Sequence, residues 1–248
     1  MPPKKKPGIA ARASRVSKFY GEGEARIAAL NGVSIDIKKG RLTAIMGPSG
    51  SGKSTLMHVM AGLDTVSKGT VWLGRVNMSE LKEKELTKLR RDKIGFVFQS
   101  FNLIPTLTAI ENITLPTEIA GAKPDQVWVD QIVAKVGLTD RLTHRPSELS
   151  GGQQQRVAVA RALASHPEIV FADEPTGNLD SKSGSEVLGL LRSSVDELGQ
   201  TIVMVTHDAP SAAYADRVVF LADGQITAEL NSPTVDQILR KIKAPTRK

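Results

Sequence analysis

The stretch Gly47-Pro48-Ser49-Gly50-Ser51-Gly52-Lys53-Ser54 sets three glycines around a lysine and a hydroxyl. Glycines at that spacing let the backbone curl with its N–H groups pointing inward. A helix opening near Lys53 aims its positive end at the same place, which makes a cradle for phosphate. Lys53 supplies a mobile charge for β- and γ-phosphates, Ser54 a hydroxyl for Mg²⁺, and Thr55 a contact to the α-phosphate. By itself this loop says only purine triphosphate. Far downstream, the apolar run Ile169-Val170-Phe171-Ala172 ends in Asp173-Glu174. A carboxylate at the end of a buried strand needs a reason, because burial penalises its charged form. Asp173 suits Mg²⁺, usually held through water. Glu174 is then free to polarise an attacking water as general base, a role contributing typically about 10²–10⁴-fold in rate.

A third segment, Leu149-Ser150-Gly151-Gly152-Gln153, opens a helix whose Val157, Ala160 and Ala164 share one face, with Ser150 as a good N-cap. Two glycines in a first helical turn are unfavourable by propensity. Close approach of a phosphate to bare N–H groups would explain them, yet the chain already owns one phosphate loop.

The elements that must position these residues are legible by period. Val33-Ser34-Ile35-Asp36-Ile37 alternates as a half-exposed strand, and Leu42-Thr43-Ala44-Ile45-Met46 is a buried strand running into the phosphate loop. Residues 13–79 read as short strands around that loop. Val129, Ile132, Val133 and Val136 recur at helical spacing before a Gly137 C-cap, so 101–153 reads as a helical insertion. Buried strands at 168–172 and 201–205 flank a helix at 184–198. Strands alternating with helices imply an α/β fold with a mainly parallel sheet. Val235, Ile238, Leu239 and Ile242 form a last amphipathic stripe, read as a terminal helix docked on the domain.

Together and in this order, the three motifs resemble the ATPase subunit of ATP-binding-cassette (ABC) transporters, over about residues 14–231. The resemblance implies a phosphate-loop cassette: a mainly parallel sheet core, an antiparallel β subdomain and an inserted helical subdomain. It also accounts for the surplus phosphate site. In this family the segment at Ser150, Gly151, Gly152 and Gln153 covers the γ-phosphate held by the other subunit, so a head-to-tail homodimer sandwiches two ATP molecules. Position by position, Gln99 matches the glutamine that touches Mg²⁺ and opens the insertion. His207 matches the histidine at the γ-phosphate, Asp180 the inter-subunit aspartate, and Tyr20 the aromatic that stacks on adenine. Pro175-Thr176-Gly177-Asn178-Leu179-Asp180 follows Glu174 in the family's register. The implied catalytic set is Glu174, His207, Lys53 and Gln99, and the metal set is Ser54, Gln99 and Asp173. His58, His144 and His166 match nothing in the family and read as ordinary structural or surface residues.

Leu89-Arg90-Arg91-Asp92-Lys93-Ile94-Gly95-Phe96-Val97-Phe98-Gln99 and Ala172-Asp173-Glu174-Pro175 are similar to the MacB/LolD/FtsE-type branch. That branch implies an integral-membrane permease with a large extracytoplasmic domain, docking near residues 99–107, and a place on the cytoplasmic face of the cell membrane. Its outputs range from export to mechanical transmission, and the ATPase chain does not choose among them. The rival is a soluble ABC ATPase acting on ribosomes or nucleic acid. The usual forms of that rival carry two cassettes or a long coiled coil, and residues 53–149 hold no sustained heptads. A tether that binds ATP and scarcely hydrolyses it is opposed by the intact Lys53, Asp173, Glu174 and His207.

Composition sets the outer bounds. The chain has 248 residues, no cysteine, and a formal net charge of +7. The absence of cysteine excludes a disulfide framework, a thiolate metal site and a cysteine nucleophile. An aromatic content of 4% argues against a base-stacking platform, and no nucleic acid is expected as a partner. The apolar runs fall far short of the roughly 20 residues of a membrane span, so the chain is expected not to cross a membrane by itself. Residues 1–13 read as a basic, Pro-rich, disordered tail, with contact to lipid or a partner as the alternative. Residues 232–248 read as an extension beyond the cassette.

Overall fold

The computed structural model describes residues 8–21 and 23–243. The chain runs β1 (Ile9–Tyr20), β2 (Ile27–Lys38), β3 (Leu42–Met46), α1 (Lys53–Met60), β4 (Lys68–Leu73), β5 (Val76–Asn77), α2 (Glu83–Lys93) and β6 (Ile94–Phe98). It continues through α3 (Ala109–Ile119), α4 (Gln126–Val136), α5 (Gly151–Ala164), β7 (Ile169–Asp173), α6 (Ser181–Leu198) and β8 (Ile202–Val205). It closes with α7 (Ala209–Ala212), β9 (Arg217–Ala222), β10 (Gln225–Asn231) and α8 (Val235–Lys243).

Among the described residues two sheets form, one six-stranded in the order β10-β9-β3-β8-β7-β6 and one four-stranded in the order β2-β1-β4-β5. In the larger sheet β9, β3, β8, β7 and β6 run parallel, and β10 is antiparallel to β9. The smaller sheet is antiparallel throughout. Successive strand residues point to opposite faces, so the apolar runs in β3, β7 and β8 feed two cores at once. Val170, Ala172, Ile202 and Met204 join α3, α4, α5 and α6 on one face. Ile169, Phe171, Val203 and Val205 join α1 and the antiparallel sheet on the other. Phe171 has no exposed surface; filling that site stabilises the sandwich by about 1.5–3 kcal/mol.

At the N-terminal edge of the larger sheet Asp216 gathers three donors. Its Oδ2 accepts from Leu42 N–H (2.8 Å) and from Arg192 Nη1 (3.0 Å), and its Oδ1 accepts from Arg41 Nη1 (2.9 Å). Burial pushes the carboxyl up, but these donors and charges outweigh it and hold it below the usual range.

Three sequence expectations change. The tail expected over 1–13 gives way to β1 from Ile9, with Ala11 and Ala13 buried between β2 and β4. Small residues packed between two strands lack the bulk that signals a strand in sequence. Residues 1–7 of that tail lie outside the described residues, as do 244–248. The first strands are also long rather than short: β1 and β2 each have 12 residues, and register shifts with Arg15 at φ 49° break their alternation. In α8 the stripe is only half used. Ile238 is fully buried in the main core and Val235 packs against it, whereas Leu239 and Ile242 are 39% and 50% exposed.

Candidate active site

β3, β8 and β7 are parallel neighbours, and Val205 pairs with both Ile45 and Asp173. The loops after Met46, Asp173 and Val205 therefore leave the same edge side by side, the edge where open α/β sheets bind ligands.

The first of these loops is seated by backbone. A Cβ on Gly47 would stand 2.1 Å from the Leu221 carbonyl oxygen, and one on Gly52 would stand 2.3 Å from the Ala29 carbonyl oxygen. Gly52 also caps α1 in the left-handed region at φ 97°. Neither position admits another residue. Lys53 is buried, and its Nζ donates to the Pro48 carbonyl at 2.8 Å. A cation resting on a neutral carbonyl is available to an incoming anion. Ser49, Gly50, Gly52, Lys53, Ser54 and Thr55 line a cavity of about 560 Å³ together with Ala29, Glu174 and His207. That volume falls within the usual range for small-molecule sites.

A second cavity, of about 380 Å³, adjoins it and is lined by Ser54, Phe98, Gln99, Ser100, Asn102, Asp173 and Glu174. Ser54 Oγ donates to Asp173 Oδ1 at 3.4 Å. Burial pushes the Asp173 carboxyl up and neighbouring Glu174 adds to this, while His58, Ser54 and Lys53 oppose it. A hydroxyl, a carboxamide and a single carboxylate are hard oxygen donors of the kind Mg²⁺ takes when a nucleotide supplies the remaining oxygens. Among the described residues no group of three or more His, Cys, Asp or Glu side chains could hold a metal; Mg²⁺ commonly takes its remaining ligands from substrate phosphates and water.

Glu174 occupies the left-handed region at φ 45°, unusual for a residue with a side chain. Its N–H donates to the Val205 carbonyl at 2.9 Å, which extends the β7–β8 pairing by one residue. Its Oε1 lies 3.0 Å from His207 Nδ1. Strain of this kind concentrates where a side chain must be aimed. Here it sends the carboxylate into the phosphate-loop cavity, where a water could be held between Glu174 and an anion.

Tyr20 does not line that cavity. It is 44% exposed, and its hydroxyl donates to Asp64 Oδ2 at 2.7 Å, a carboxylate that Lys18 in turn holds at 2.5 Å on Oδ1. The segment at 150–153 is also elsewhere. Ser150 caps α5 and exchanges hydrogen bonds with Gln153, Ser150 N–H to Gln153 Oε1 at 2.9 Å and Gln153 N–H to Ser150 Oγ at 3.3 Å. Gly152 has a reason within its own chain, since a Cβ there would meet Ser183 Oγ at 2.9 Å; Gly151 meets only ordinary contacts. Asp180 caps α6, accepting from the Lys182 and Ser183 amides at 3.0 Å. The fold thus gathers Lys53, Ser54, Thr55, Gln99, Asp173, Glu174 and His207 around adjoining cavities and leaves 150–153 outside them, while Asp180 lines a third cavity, of about 550 Å³, together with Glu174 and His207.

Two neighbours escaped the sequence reading. His58, read as ordinary, places Nε2 4.0 Å from Asp173 Oδ2; it sits four residues after Ser54 and so on the same face of α1, which was the available signal. Asn178 holds Gln99, accepting from its Nε2 at 3.0 Å and donating to its carbonyl at 3.1 Å. Nothing in sequence separates that asparagine from other turn residues.

A family model for the ABC transporter matches residues 30–177. An uncharacterized ABC transporter ATP-binding protein of Methanocaldococcus jannaschii, MJ0796, is 47% identical over 220 residues, 86% of this chain and 94% of that protein. The macrolide export ATP-binding/permease protein MacB of Burkholderia pseudomallei is 45% identical over 225 residues. That alignment covers 90% of this chain and 34% of MacB, so the chain spans about a third of it. The solved dimeric post-hydrolysis state of MJ0796, bound to ADP and Pi, superposes with a TM-score of 0.81 at 44% identity, covering 90% of this chain and 99% of that one. CbiO1 of Clostridium perfringens, part of an ABC transporter complex, gives 0.83 at 29% identity, covering 95% and 92%. With its phosphate loop and paired acids at one sheet edge, the chain belongs to the ABC transporter family and is one of its ATPase cassettes.

Proposed function

We propose that this chain drives a membrane transporter of the MacB/LolD/FtsE type, closing as an ATP-dependent homodimer beneath a separate permease with a large extracytoplasmic domain. What carries the dimer in this reading is the split arrangement: Lys53, Ser54, Glu174 and His207 line one open cavity, while Ser150, Gly151, Gly152 and Gln153 stand apart from it. A second copy, turned head to tail, would bring its 150–153 segment over the γ-phosphate and complete the site. The dimeric MJ0796 structures support this.

Within one copy, Tyr20 offers its ring to adenine and the N–H groups of 47–55 take the phosphates. Ser54, Gln99 and Asp173 would hold Mg²⁺, which when bound neutralises phosphate charge and orients the γ-phosphate. Glu174 takes a proton from the attacking water, and His207 contacts the γ-phosphate and steadies the Glu174 carboxylate.

The permease would dock at a groove lined by Leu63, Arg90, Arg91, Phe96, Phe98, Asn102 and Arg161. Leu63 in this groove is 44% exposed; in the neighbouring segment 99–107 Ile104 is 39% exposed, while Phe101, Leu103 and Leu107 are partly covered. Arg161 Nη1 donates to the Asn102 carbonyl at 2.5 Å and Nη2 to the Phe101 carbonyl at 2.8 Å, pinning two left-handed residues just after Gln99. A segment pressing on this groove would therefore act on Gln99 through a short backbone path. Among the described residues no helix is long and apolar enough to cross a membrane, so the membrane part is assigned to the partner, with this chain on the cytoplasmic face.

The test is affinity capture of tagged Glu174→Gln from gently solubilised membranes with ATP and Mg²⁺. Co-purification of an integral-membrane protein with a large external domain is expected. Ribosomal or DNA-associated proteins with no membrane partner would contradict the reading and favour a soluble ATPase.

A further inference from the structure

We propose that Gln155 is a positioning residue for hydrolysis, holding together the two turns that carry Gln99 and Glu174 and tying both to helix α5. This rests on the assignment of Glu174 as general base.

Gln155 has no exposed surface. Its Nε2 donates to the Phe98 carbonyl at 3.2 Å and to the Pro175 carbonyl at 2.5 Å. Phe98 is the last residue of β6, directly before Gln99, and Pro175 directly follows Glu174. Two carbonyls facing one amide group leave a single orientation: the NH₂ must point at them, because the oxygen would repel both. Oε1 is then buried with no hydrogen-bond partner. An unpaired acceptor in the interior is a standing cost, and an apolar side chain of similar length would fill the same space without it. The amide is accounted for by what its N–H groups hold.

What they hold needs an outside grip. Glu174 is in the left-handed region, and Pro175 has no N–H with which to anchor itself. The Pro175 carbonyl is therefore the handle on that turn. On the sheet side Glu174 N–H bonds to Val205, and on the helix side Gln155 closes the clamp. Asn178 ties the same two turns together at the surface through Gln99. α5 packs on α3 and α4 as well as on β6. A shift of the helical insertion relative to the sheet would therefore reach the base through one side chain.

The experiment is Gln155→Met in the full chain, a change that keeps length and apolar packing and removes both donors. Affinity for a fluorescent ATP analogue, melting temperature, kcat and amide exchange are measured together. Nucleotide affinity and melting temperature stay at the parental values, while kcat falls about 10²-fold, as expected for a misplaced catalytic group. Exchange speeds up at the Gly177 and Leu179 amides, which bond within the turn to Glu174 and Thr176. A parental kcat, or a parallel fall in affinity, melting temperature and kcat, would overturn the proposal. If Gln155→Met does not fold, Gln155→Asn, which keeps the amide one methylene short, is read by the same criteria. In a Glu174→Gln background Gln155→Met adds a smaller loss than it causes alone, the remainder acting through Gln99, and an added loss as large as in the parent also overturns it. Failure of the base assignment is seen separately, as a parental rate for Glu174→Gln with Gln155 intact.

Discussion

His207 Nδ1 and Glu174 Oε1 are 3.0 Å apart although they follow different strands, β8 and β7. The contact exists because β7 and β8 are adjacent and parallel, and because Glu174 turns left-handed at the strand end. His207 is thereby fixed to the group proposed as base rather than placed only by its own exposed loop. Replacing it with Ala should leave ATP binding intact and lower kcat by about 10²-fold, as expected when the base it steadies is misplaced. Steady-state hydrolysis alongside equilibrium nucleotide binding checks this, and equal losses in both would assign His207 to binding alone.

The 150–153 segment stands outside the cavity of its own chain, so its role depends on a second copy. Ser150→Arg places a long cation at the cap of α5 and should spare ATP binding to the monomer while blocking closure. Size-exclusion chromatography of Ser150→Arg combined with Glu174→Gln, with ATP and Mg²⁺, should give a monomer. An ATP-dependent dimer of that variant would remove the sandwich arrangement.

Acid should weaken the fold through Asp216, far from the site. Its carboxyl is held below the ordinary carboxylate value of 3.8, because the donors from Leu42, Arg192 and Arg41 outweigh burial. A depressed folded value means that the stabilisation is present above the unfolded value and is lost as pH falls through the folded one. Asp216→Asn should therefore cost about 1.5–3 kcal/mol at neutral pH, the range for hydrogen bonds to charged groups. In urea titrations the gap between parent and variant should close as pH falls below 3.8. A gap that stays constant down to acid pH would mean that charge at Asp216 contributes nothing.

Much of the site was legible because its residues lie at strand ends, where an apolar run stops at a polar residue. Asp173 and Glu174 are legible this way, Lys53 through the glycine spacing of its loop and His207 through the family resemblance, and the structure sets all four around one edge. The parallel sheet was legible from the same runs. Other features were hidden for physical reasons. β1 buries alanines and bulges at Arg15, so its alternation is broken and its start at Ile9 looks like tail. α2 exposes charge on most sides and buries only Leu86 and Leu89, too little for a periodic signal. Gln155 follows two other glutamines, and composition cannot say which of the three turns inward. The glycines at 151 and 152 look equivalent in sequence, yet only at Gly152 would an added Cβ crowd a neighbour, the Ser183 side chain.

The most direct test of the account is hydrolysis by Glu174→Gln, measured with ATP binding in the same preparation. The carboxamide keeps the size of the side chain and cannot take a proton from water. Binding should match the parent, while the hydrolysis rate falls by roughly 10²–10⁴-fold. A variant that binds ATP and hydrolyses it at the parental rate would show that Glu174 is not the base.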